Sequence, residues 1–151
     1  MNPVAKLMAL PASDRALLFK SLIPLGAMRV GLWTMPYPKV RTIADWMSGT
    51  DTSSSRIEGA HKRPSPERIG WAVATMSRVV PNGINCLVRA MATDIMLRRF
   101  GYASTLKLGI AKPGDGQLEG HAWVESDGIV VIGEFQPDRF VALDGKGPTT
   151  R

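Results

Sequence analysis

Apolar positions recur at helical spacing through the first two thirds of the chain and switch to an extended period after Gly101. Ser13 is a plausible N-cap for a first helix to about Met28, with Leu17, Leu18, Phe19, Leu22, Ile23 and Leu25 on a broad apolar face. Pro24 is expected to kink or end it. Val40, Ile43, Trp46 and Met47 predict a second helix over Lys39–Met47, after the breakers Pro36 and Pro38. Pro66 opens a third, carrying Ile69, Trp71, Ala72, Val73, Met76 and Val79 and ending before Pro81. A turn signal, Pro81-Asn82-Gly83, then leads into a helical run from Leu87 to Phe100. Asn82 or Asn85 can cap that run, so Cys86 falls in or beside its first turn, and Gly101 closes it with Arg98 and Arg99 where the helix dipole favours cations.

Beyond Gly101, Ala103–Ala111 predicts a strand and Lys112–Gly116 a turn, with Phe140, Val141 and Leu143 as a short last strand. Between them, Gly120–Glu134 reads as a β-hairpin whose apolar, β-branched arms flank Asp127-Gly128, a pair suited to the positive φ angles of a two-residue turn. If Asp127 and Gly128 are the turn, Ser126 faces Ile129, and counting outward sets His121 opposite Glu134. Cross-strand partners have Cβ atoms about 4.5–5.5 Å apart, near enough for a carboxylate to hold an imidazole.

The predicted organisation is α+β: an N-terminal helical segment over residues 1–47, a loop over 48–66 rich in Gly, Ser, Thr and charge, a core over 67–143 and a frayed tail over 144–151. The chain has 151 residues, 44% apolar and 21% charged, as in an ordinary globular domain. The formal charge of +6 favours an anionic partner, but the basic residues are scattered without a nucleic-acid motif, so an acidic peptide fits as well. His61-Lys62-Arg63 reads as solvated surface. One cysteine excludes an internal disulfide and points to a reducing cytosol. The apolar stretch Ala16–Met28 is interrupted by Lys20 and is too short to span a bilayer.

Cys86, His121 and Glu134 are the residues that suggest chemistry. A thiol becomes a nucleophile on ionisation, which a helix N-terminus and a neighbouring imidazole both promote. If the helix of Cys86 packs across the sheet, its N-terminus comes over His121, with Glu134 behind the ring, and Asn82 or Asn85 can add a donor for an oxyanion. A small buried cysteine and a structural strand histidine remain the alternative. No paired metal-ligand spacing and no phosphate loop is present, so neither metal nor cofactor is expected.

Asn85-Cys86-Leu87-Val88-Arg89-Ala90, Leu97-Arg98-Arg99-Phe100-Gly101-Tyr102, Leu106-Lys107-Leu108-Gly109-Ile110 and Gly120-His121-Ala122-Trp123-Val124-Glu125 together resemble the transglutaminase-like cysteine peptidases of lasso-peptide biosynthesis, over about Asn82 to Leu143. The resemblance implies a papain-like or transglutaminase-like α+β fold and removal of the leader from a ribosomally made precursor. Cys86 and His121 fall on the family's nucleophile and base; its third position, usually Asp, is matched by Glu134, with Asp138 as fallback. The helical opening lacks the strands of a leader-binding domain, so the resemblance implies the split form. Its partners are then the precursor peptide, a separate PqqD-like leader-binding protein and an ATP-dependent lasso cyclase. Acyl transfer to an amine, and a binding module that has lost the chemistry, are the other functions considered.

Overall fold

A computed structural model describes residues 3–49, 63–80, 84–111, 116–134 and 140–143. The expectations for the loop at 50–62, His61, Asn82, the turn residues 112–115, Asp138 and the tail from 144 lie outside the described residues. The helices are α1 (Pro3–Met8), α2 (Ala12–Thr34), α3 (Tyr37–Ser48), α4 (Pro66–Val79) and α5 (Cys86–Arg99). The strands are β1 (Thr105–Ala111), β2 (Glu119–Ser126), β3 (Ile129–Ile132) and β4 (Val141–Ala142). They form one antiparallel sheet in the order β3-β2-β1-β4, so the class is α+β as the pattern predicts.

The centre of the molecule is α5, which packs on α2, α3, α4 and three strands. Every residue from Ala90 to Leu97 is buried, so this helix has no outward face along its middle. Its polar residues are therefore paired. Asp94, 1% exposed, lies 3.4 Å from Arg41 of α3 and 3.1 Å from Arg98, and accepts from the Ser104 hydroxyl at 2.6 Å. Those bonds tie α5 to α3 and to the segment entering β1, and an unpaired buried carboxylate would cost several kcal/mol.

Above α5, α2 differs from its reading in three ways. Its N-cap is Pro11 rather than Ser13, with no side-chain bond to the first turn. Pro24 does not end it: the ring is buried and the helix continues to Thr34, burial offsetting the lost backbone bond. Nor are its apolar residues on one face. Leu17, Leu18, Leu25 and Met28 are buried, whereas Phe19, Ile23, Val30 and Trp33 form an outward stripe on the opposite side. The resulting 23-residue helix is long and apolar enough to cross a bilayer, unlike the shorter stretch expected, though a third of its most apolar window is buried in the fold.

Of the remaining helices α4 and α5 follow their signals, α3 starts at Tyr37 with Pro38 in its first turn, before the expected Lys39, and α1 has no counterpart in the sequence reading. Ser65 caps α4 by accepting from the Arg68 N–H, and Pro66 occupies its first turn. Asp14 of α2 pairs with Arg68, joining α2 to α4.

Candidate active site

Alternation along β2 sorts its side chains onto two faces. Ala122 and Val124 join the helix-packed core, with Leu106 and Leu108 of β1 beside them. His121, Trp123 and Glu125 therefore stand on the other face, across from Gly109, Lys107 and Thr105 of β1. Trp123 is fully buried there; its indole N–H donates to Glu125 at 2.9 Å, and Lys107 approaches the same carboxylate at 3.7 Å. The His121 ring stacks on buried Phe140 with centroids 4.7 Å apart and lies 6.2 Å from the Trp123 ring. Both contacts restrict how the imidazole can turn.

The hairpin departs from simple counting near the site. Asp127 (φ 51°) and Gly128 (φ 78°) form the expected turn, and Ser126 pairs with Ile129. Glu125 pairs with Val130, but Val124 pairs with Ile132, leaving Val131 as a bulge. Beyond it the count runs one residue ahead, so Glu134 is displaced from the position facing His121. The bulge sits where α4 presses on β3: a Cβ at Gly70 would lie 2.5 Å from the Val131 carbonyl oxygen.

Gly133 (φ +79°) then turns the chain back against β2, where a Cβ would lie 2.5 Å from the Ala122 carbonyl. The result is a bond between His121 Nε2 and the main-chain carbonyl of Glu134, 2.7 Å long. A carbonyl oxygen only accepts, so Nε2 carries the proton and Nδ1 holds the free lone pair of the neutral ring. Where a carboxylate behind the ring is expected, the contact seen is through the main-chain carbonyl of Glu134, in keeping with the shift of register at Val131.

Cys86 is the first residue of α5. Asn85 caps the helix, its side-chain oxygen accepting from the Val88 N–H at 2.9 Å, so that oxygen is committed to the cap. The N–H groups of Cys86 and Leu87, in the first turn, have no intrahelical acceptor. Cys86 Sγ lies 3.9 Å from the carbonyl oxygen of Gly120, the residue before His121. The thiol and the imidazole thus belong to one corner of the molecule, where the start of α5 meets the start of β2, but they do not hydrogen-bond to each other. One turn along α5, Arg89 carries a buried Nε with no hydrogen-bond partner.

Sequence reasoning missed the parts of this corner made by backbone and packing. Gly133 just before Glu134 was a legible signal for a turn; Phe140 as a stacking partner and Val131 as a bulge had none in their own residue types.

A cleft of about 600 Å³ lies between α2 and the start of α5, lined by Arg29, Val30, Leu32 and Trp33 of α2 with Ile84, Asn85 and Val88, and so reaches the residue before Cys86. Two other cavities, of about 350 and 440 Å³, lie at the far end of α5 and between α2 and Arg68.

Among known proteins, the family model described as Transglutaminase-like superfamily matches residues 31–143. No curated protein and no solved structure matches.

Proposed function

The chain belongs to the transglutaminase-like superfamily, and from that premise we propose that it is a cysteine endopeptidase that removes the leader from a ribosomally made lasso-peptide precursor. The observation that carries the peptidase reading is a thiol, Cys86, at the first residue of α5 in the same corner as an imidazole whose Nε2–H is held by a carbonyl, leaving Nδ1 to take a proton. The lasso assignment is supported by the order and spacing of the motifs around Cys86 and His121.

In this reading substrate binding completes the approach of sulfur to ring, as catalytic hydrogen bonds commonly tighten only in the complex. His121 Nδ1 takes the thiol proton as Cys86 Sγ bonds to the scissile carbonyl carbon. The Cys86 N–H and the positive end of α5 stabilise the oxyanion. The C–N bond then breaks, with the imidazolium proton passing to the leaving amine. Water adds to the thioester with His121 as base, and the product acid departs from the restored thiol.

Delivery of the precursor by a separate leader-binding protein, transfer of the core peptide to an ATP-dependent cyclase, and a cytosolic location complete the proposal. The second reading, acyl transfer, uses the same thioester, because an amine can replace water.

The test is precursor cleavage, followed by mass, with the leader-binding protein present. Cys86→Ala is expected to lower the rate by about 10⁴-fold or more, as loss of a nucleophile does. Full cleavage by that variant would sink the proposal. Product carrying an added amine in place of the free acid would instead establish acyl transfer.

A further inference from the structure

The cleft between α2 and the start of α5 has no role in the chemistry above. Five of its seven lining residues, Val30, Leu32, Trp33, Ile84 and Val88, are apolar, and Arg29 and Asn85 complete it. Trp33 is 86% exposed and Val30 57% exposed, so two apolar side chains at the cleft stand open to water. Asn85 belongs both to this cleft and to the cap that immediately precedes Cys86. The cleft thus reaches the residue next to Cys86, a separation that one or two residues of an extended peptide, at about 3.3 Å per residue, can span.

We propose that this cleft is a substrate subsite that takes an apolar side chain of the peptide adjoining the scissile bond, with Trp33 as its specificity-determining wall. The inference rests on Cys86 acting as the nucleophile and adds which side chain the site selects. The cleft's volume accommodates a leucine or phenylalanine side chain. Burying such a group against Trp33 and Val30 removes apolar surface on both partners from water. A seryl or aspartyl side chain gains nothing comparable there.

The experiment needs no natural substrate. N-acetyl-aminoacyl chloromethyl ketones carrying leucyl, phenylalanyl, seryl or aspartyl side chains alkylate a thiol as sulfur displaces chloride and the thiol proton passes to solvent. Rates on the full chain are read by intact mass and normalised to glutathione, with iodoacetamide as a probe that has no side chain. Cys86 is the only thiol, so every adduct reports it.

The leucyl and phenylalanyl probes are expected to react about tenfold or more faster than the seryl and aspartyl ones, within the range that apolar pockets discriminate. Trp33→Ala is expected to bring that ratio below about threefold while leaving the iodoacetamide rate unchanged, because side-chain selection and thiol reactivity are separate terms. Trp46→Ala, at an equally exposed tryptophan outside the cleft, is expected to keep the selectivity. Equal rates for all four probes, a preference for the aspartyl probe through Arg29, or selectivity that survives Trp33→Ala would each overturn the subsite with the nucleophile intact. A thiol silent even to iodoacetamide would overturn the nucleophile and the subsite together.

Discussion

Gly128 and Gly133 lie five positions apart on one hairpin and have nearly the same backbone angle, φ +78° and +79°, yet they serve different ends. Gly128 sits at the tip in open space, where a Cβ would meet nothing within 4 Å. Its conformation is required by the turn and by nothing else. Gly133 sits at the base, where a Cβ would meet the Ala122 carbonyl at 2.5 Å and Trp123 at 2.9 Å. There the conformation and the close approach act together, and their product is the Glu134 carbonyl on His121. A turn glycine sets local geometry; a glycine wedged against a strand sets what holds the His121 ring.

The largest expected effect comes at the crowded end. Gly133→Ala adds left-handed strain to a backbone clash, so a loss of about 3 kcal/mol or more is expected in urea unfolding. Even a folded fraction is expected to cleave about 100-fold more slowly, because the acceptor for His121 is misplaced. Next is Gly70→Ala, where overpacking against Val131 opposes the helix preference of alanine and a net loss of about 1–2 kcal/mol is expected. The same denaturation series measures it. Gly128→Ala carries only the conformational cost, about 1 kcal/mol, and is expected to leave cleavage by the folded protein intact. If Gly128→Ala and Gly133→Ala were equally harmful, the distinction between the two ends of the hairpin would fail.

Smallest is Glu134→Gln. The carbonyl that meets His121 survives this change, so the rate is expected to shift by less than about threefold, under 0.7 kcal/mol in barrier. A hundredfold loss in the cleavage assay would show instead that the carboxylate acts on the ring.

What was legible in the sequence divides along the same line. Asp127-Gly128, Pro66 at its helix start and Asn85, one of two candidate caps, are local chemistry, in which a side chain or a φ preference acts within four residues, and each stands where the sequence put it. The register at His121 depends on α4, some 60 residues earlier in the chain, pressing on Val131, and no count along the hairpin contains that contact. The inner and outer stripes of α2 were likewise merged into one apolar face, because composition does not say which side meets the core. Pro24 was read as a breaker on local grounds, whereas tertiary burial carried the helix through it.

Because Cys86 is the only thiol in the chain, air oxidation cannot close a disulfide within one molecule. Two molecules must instead join Cys86 to Cys86, or one must take up a small-molecule thiol as a cap. A covalent dimer on a non-reducing gel would then be a measure of masked Cys86, reversible by dithiothreitol, and the free-thiol titre of a preparation would count the chains in which Cys86 remains open.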